Sequence, residues 1–99
     1  MAVVEVSIIP IGTSSTSLSD YVARCLQVLQ QAEGVKYELT SMGTVIEGEL
    51  DHVLSLVRKM HEAPFAAGAG RVSTTIRIDD RRDKPLSMRG KVAAVEAKL

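Results

Sequence analysis

His61 and Glu62 stand side by side, and an imidazole next to a carboxylate is the simplest acid–base pair a chain can offer. Proton transfer also needs a nucleophile or a second base brought to the same point. No Ser, Cys or second His stands at a spacing that completes such a constellation. His52 lies nine residues earlier, about two and a half turns of helix, so it faces elsewhere. His61 therefore reads as a helix C-terminal residue complementing the dipole, with a ligand or interface contact as its other reading. The single Cys25 sits among Val22, Leu26 and Leu29 at helical spacing. It reads as a small buried hydrophobe rather than a catalytic thiol. With no C-x-x-C and no His/Cys cluster, neither zinc nor an internal disulfide is expected.

The elements that must position these groups follow from periodicity. Val4, Val6 and Ile8 alternate within a strand running from Ala2 to Ile9, which Pro10 is expected to end. A hydroxyl-rich loop follows, Ile11-Gly12-Thr13-Ser14-Ser15-Thr16-Ser17, and Ser17 with Asp20 resembles a capping box. Val22, Cys25, Leu26, Leu29 and Ala32 mark one face of a helix from Leu18 to about Glu33, closed by Gly34. Val35, Tyr37 and Leu39 alternate in a second strand, Ser41-Met42-Gly43 turns the chain, and Thr44 to Glu49 returns as a third. A second helix from near Asp51 carries Val53, Leu56, Val57 and Met60 and is expected to stop before Pro64. Val72, Thr74, Ile76 and Ile78 alternate in the last strand, and Met88, Val92, Val95 and Leu99 form a stripe on a third helix.

Strand, helix, strand, strand, helix, strand is the ferredoxin-like βαββαβ order, an α+β fold. Right-handed crossovers place both main helices on one face of a four-stranded antiparallel sheet, and the C-terminal helix is an addition. The other face should be polar if it meets water. Val3 and Ile9 fall on that face beside Glu5 and Ser7, so a second subunit is expected to cover it.

The 99 residues make one domain, residues 1–99, and a chain this short builds only a modest core of its own. Twelve basic residues balance twelve acidic ones, and there is no Trp, one Phe and two Tyr. A nucleic-acid partner is disfavoured, because neither a basic stripe nor stacking platforms are present. Arg81, Arg82 and Lys84 interleave with Asp79, Asp80 and Asp83, which reads as a local charge network. No apolar run is long enough for a membrane span, and no leader pattern is evident, so a cytosolic protein is expected.

Several motifs together carry a family likeness. Pro10-x-Gly12-Thr13 leads into Ser17-x-Ser19-x-Tyr21-Val22, and Met42-Gly43-Thr44-x-x-Glu47-Gly48 forms the hairpin. His61-Glu62 closes the second helix, and Arg71-Val72-x-Thr74-x-Ile76-x-Ile78-Asp79-x-Arg81-x-Asp83 closes the sheet, followed by Lys91-Val92 and Lys98-Leu99. Over nearly its whole length the chain resembles the small thiamine-binding proteins of the YkoF-like superfamily. The resemblance implies a ferredoxin-like fold, dimers formed by stacking sheets, tetramers built from those dimers, and binding of thiamine or its hydroxymethylpyrimidine portion without catalysis. It implies no cofactor.

Thiamine joins an aminopyrimidine to a cationic thiazolium, so a site needs paired donors and acceptors, a slot for flat rings, and a carboxylate or carbonyls near the cation. Glu47 shares a strand face with Val45; buried, it needs either a ligand amine or an ion pair with Arg71 or Arg77. Gly12 and Gly43 flank turns where backbone amides become accessible, though turn geometry alone accounts for them equally well. Thr13, Ser14 and Thr16 offer hydroxyls before the first helix, as ligand donors, an anion site or a solvated capping loop. Tyr37 packs in the core or stacks on a ring, and Met42 covers a ring or fills an interface gap. With Thr44 of the hairpin motif and His61, these residues are the candidate ligand-binding set; no residue is assigned a catalytic or metal role. Two other readings stand beside ligand capture at a subunit interface: a structural or regulatory oligomer binding an anion or small effector, and a His61/Glu62 enzyme.

Overall fold

The computed structural model describes residues 1–99 and contains seven elements. They are β1 (Ala2–Pro10), α1 (Ser19–Gln30), β2 (Lys36–Leu39), β3 (Thr44–Gly48), α2 (Leu50–Ala66), β4 (Val72–Asp80) and α3 (Met88–Glu96). The sheet order is β2-β3-β1-β4, antiparallel throughout. This is the ferredoxin-like arrangement that the order of elements in the sequence predicts.

The alternating set chosen from β1 points where expected. Val4 and Val6, with Ile46 of β3, are buried under Leu29 of α1 and Val53, Leu56, Val57 and Met60 of α2. Fully burying such side chains contributes about 1.5–3 kcal/mol each, so this one layer carries most of the fold.

Some element ends differ from the sequence expectation. Pro10 belongs to β1 and pairs with Val72. The Ile11 N–H donates to the Arg71 carbonyl at 2.8 Å in the same register, so odd-numbered β1 residues bond to β4 and even-numbered ones face β3. The N–H that Pro10 lacks would have pointed past the end of β3, where no partner waits. Helix α1 begins after Leu18 without a side-chain cap; Ser17 Oγ lies 3.3 Å from Ser19 Oγ instead. It also ends earlier, at Gln30, and Gly34 takes a positive φ of 77° in the turn toward β2. Glu49 is the cap of α2 rather than a strand residue: its carboxylate accepts the N–H groups of Asp51 and His52 at 3.2 and 3.0 Å.

Helix α2 runs through Pro64 to Ala66. Proline removes the N–H that would bond the carbonyl four residues back, here Met60. The Cys25 thiol donates to that Met60 carbonyl at 3.4 Å. A side chain of α1 thus supplies the donor that α2 lacks, and the helix continues.

The face opposite the main helices is partly covered by the chain itself. The carboxylate of Glu47 accepts the Met88 N–H at 2.7 Å, pinning the start of α3 over the end of β3, and Lys91 pairs with Asp79. Val3 is buried at this end by its own chain, with no need of a partner, whereas Ile9 remains 45 % exposed. The stripe on α3 is present in the helix, but only Met88 is buried; Val92 and Val95 face solvent.

Candidate functional site

A groove forms where the strands are unequal. β3 starts opposite Val6, while β1 continues four residues further, paired only with β4. Ile8 is even-numbered, so its N–H and C=O point toward the missing β3 partner. The gap is walled by Leu18, which precedes α1, and by Val22 of α1, and roofed by the β2–β3 turn, with Cys25 and Met60 at its floor. Its volume is about 360 Å³, within the ~300–1,000 Å³ range of small-molecule pockets.

The turn is shaped by local bonds. The Thr40 N–H and Thr40 Oγ1 both donate to the Gly43 carbonyl at 2.8 Å, and Thr40 Oγ1 accepts the Met42 N–H at 3.3 Å. Gly43 passes so close to β1 that a Cβ would fall 2.8 Å from the Val6 carbonyl oxygen. Only glycine fits there without displacing the strand. Met42, 82 % exposed, stands at the tip of this roof.

No Asp, Glu, Lys or Arg lines the groove. Its polar lining comes from the free edge of Ile8, the turn backbone, and the residues Ser7, Thr40, Ser41 and Thr44. Burial pushes the Cys25 thiol up from its ordinary value, so it stays protonated at neutral pH as a hydrogen-bond donor. Chemically, the groove sets a few polar groups in a lining that is mostly apolar and carries no ionised side chain.

Of the ten candidate residues, Met42, Gly43 and Thr44 meet here. Tyr37 packs against the core on the helix side of β2. Glu47 lies on the opposite face, and one of its oxygens holds α3 rather than Arg71 or Arg77; Arg77 pairs with Glu5 at 3.4 Å. His61 is held by its Nδ1 at 2.7 Å from Thr74 Oγ1, with Phe65 edge-on at 5.5 Å. His52 is separate, 2.7 Å from the Glu33 carbonyl. Gly12, Thr13, Ser14 and Thr16 lie in the loop before α1. There Thr13 Oγ1 donates to the Ser15 carbonyl at 2.8 Å, and Gly12 takes a positive φ of 79°. Arg81 pairs with Asp83 and Arg82 with Asp80, which lowers both carboxyl pKa values through these hydrogen bonds. Asp79 turns instead to Lys91. The sequence reading missed Ile8, Leu18 and Val22 as groove residues; unequal strand lengths were the available signal.

No cluster of three or more His, Cys, Asp or Glu side chains is placed to hold a metal ion. No helix is long and apolar enough to cross a membrane.

Comparison with known proteins places this architecture. The chain is 50 % identical to the UPF0045 protein YqgV of Bacillus subtilis, covering 100 % of this chain and 98 % of that one. It is 46 % identical to a UPF0045 protein of Methanothermobacter thermautotrophicus, with both chains covered completely. The solved structure of MJ1052 from Methanocaldococcus jannaschii superposes with a TM-score of 0.87 at 36 % identity, covering 96 % of this chain and 95 % of that one. A Thermotoga maritima protein described as a thiamine biosynthesis/salvage protein shares the fold, with a TM-score of 0.76 at 20 % identity and coverage of 95 % and 97 %. The profile of the family described as Thiamine-binding protein matches residues 4–96, and the chain belongs to that family.

Proposed function

We propose that this protein is a non-catalytic binder of thiamine that takes the hydroxymethylpyrimidine ring into the groove beside Ile8. The observation that carries the reading is the unpaired edge of Ile8 in a mostly apolar slot without charged side chains. A strand residue presents its N–H and C=O side by side, and an aminopyrimidine presents the complementary acceptor and donor along one edge. With no carboxylate in the lining, the neutral pyrimidine is the portion recognised, and the thiazolium cation projects toward solvent or a neighbouring chain. Membership of a thiamine-binding family supports the choice of ligand.

The groove opens at the end of the sheet where Ile9 and Ser7 mark the uncovered face. Stacking of two such faces, with Val92, Val95 and Leu99 of the C-terminal segment packing across the joint, buries apolar surface that one chain leaves in water. This supports a dimer, assembled further into a tetramer, with the ligand near the subunit boundary. A cytoplasmic role in buffering, delivering or sensing the vitamin fits such a molecule.

Calorimetric titration separates the possibilities. Thiamine and hydroxymethylpyrimidine are expected to give heat and the isolated thiazole none; Val22→Phe, which fills the slot, abolishes binding, while His61→Ala leaves it unchanged. Silence from both pyrimidine ligands removes the proposal. An affinity lost instead on replacing Thr13, Ser14 and Thr16 favours an anion or effector site in the loop before α1.

A further inference from the structure

Glu47 is 5 % exposed, yet the chain uses only one of its two oxygens. Oε1 accepts the Met88 N–H at 2.7 Å. Oε2 meets no donor of the chain and is not sealed off, so it looks into the cavity that Glu47 lines. A carboxylate drawn this far out of water calls for a second donor. The cavity, about 270 Å³, lies between the β2–β3 ladder and the start of α3. Lys36 stands directly opposite Glu47 in that ladder, and Glu38 shares its face two residues on. Both are exposed, as is Arg89 of α3, and none of the three takes part in an ion pair. A buried carboxylate thus forms the floor, and two unpaired cations and a second carboxylate stand at the mouth.

We propose that this cavity is a further binding site, and that it takes a small zwitterion of the amino-acid class. The ligand's ammonium donates to Glu47 Oε2, and its carboxylate meets Lys36 and Arg89. Charge of both signs is required. A simple cation would have to pass two positive side chains to reach the floor, and a simple anion would end against Glu47. Glu47 and Glu38 offset Lys36 and Arg89, so the lining as a whole favours a ligand without net charge. A metal ion is not favoured, because no third His, Cys, Asp or Glu stands with the two carboxylates. The volume lies below the range of drug-sized pockets, which suits a molecule of a few heavy atoms. Thiamine carries no anion, and the groove proposed for it lies on the other face of the sheet, at the Thr44 end of β3. The two sites are therefore separate.

The Met88 amide reads the site, because it bonds the same carboxylate. In NMR titrations that follow amide resonances, L-alanine or β-alanine, whose charges differ in separation by one methylene, is expected to shift that amide to saturation. Ethylammonium and acetate, each with one of the two charges, bind at least about tenfold more weakly, the worth of one charged hydrogen bond. Glycine betaine, a zwitterion without N–H, leaves the amide unmoved. Glu47→Gln keeps an oxygen for the Met88 N–H but turns an amide NH2 toward the ammonium. Its affinity falls by at least about tenfold, while tryptic cleavage at Arg89 stays at the parent rate; Lys36→Met weakens binding as well. Saturation by neither amino acid overturns the proposal, as does binding of betaine, equal affinity for ethylammonium or acetate, or undiminished affinity in Glu47→Gln. Where Glu47→Gln is cleaved faster, unchanged affinity in Lys36→Met overturns it instead. Displacement of the amino acid by thiamine overturns the separation of the two sites.

Discussion

The bond between Cys25 and Met60 can be isolated by a double-mutant cycle with Pro64. Cys25 is 5 % exposed and Met60 1 %, so Cys25→Ala leaves the Met60 carbonyl buried without a partner. An orphaned buried acceptor costs about 1–3 kcal/mol; a thiol is a weak donor, so about 1 kcal/mol is the appropriate share. Loss of the buried sulfur adds about 0.8 kcal/mol, as for one methylene. Pro64→Ala restores the N–H that bonds the same carbonyl within α2. In that background Cys25→Ala should cost only the packing share, giving a coupling of about 1 kcal/mol between positions on different helices. Urea denaturation of the four chains at one fixed protein concentration measures this, because assembly shifts apparent stability. Equal costs of Cys25→Ala in the parent chain and in the Pro64→Ala background, within about 0.3 kcal/mol, would refute the assignment of the thiol as the missing donor.

Three other outcomes follow from named contacts. Glu47→Ala removes the acceptor for the Met88 N–H; limited trypsin digestion should cut faster at Arg89 and Lys91, and unchanged cleavage counts against Glu47 as the anchor of α3. Gly43→Ala forces a methyl group against the Val6 carbonyl and should destabilise by about 1–3 kcal/mol, read as a fall in Tm; an unaltered Tm shows that the turn gives way freely. The Glu49 carboxyl is held below its usual value by the backbone N–H of His52 and then of Asp51. Its contribution is therefore complete above the unfolded carboxylate value and is lost as pH falls through the lower folded one. Glu49→Gln should flatten the acid limb of the stability curve below about pH 4.5, and an identical limb in both chains would contradict this.

Local pattern carried the architecture a long way. Two-residue alternation in Val4-Val6-Ile8 and Val72-Thr74-Ile76-Ile78, and the helical stripe through Cys25 and Leu29, were enough to give the order of strands and helices and the buried faces of β1, α1 and α2, whereas the stripe on α3 stays in solvent. What escaped depends on distance through space. Pro64 was expected to stop α2, yet the helix runs on to Ala66, and the carbonyl that Pro64 leaves without a donor is met by a thiol of α1, far away in sequence. Glu47 was legible as a carboxylate needing a partner, but its partner is a backbone amide of Met88 that no side-chain inventory contains. The groove was half visible through Met42, Gly43 and Thr44. Its other half, Ile8, is defined by the absence of a neighbour rather than by residue type.

The β2–β3 turn is short, and that brevity determines how much of β1 goes without a companion. Two further residues on each arm of the hairpin would carry the ladder as far as Ile8, and the chain would plug its own cleft while the core beneath stayed untouched. Hairpin length therefore sets whether the cleft stays open: an insertion in one surface bend would close it.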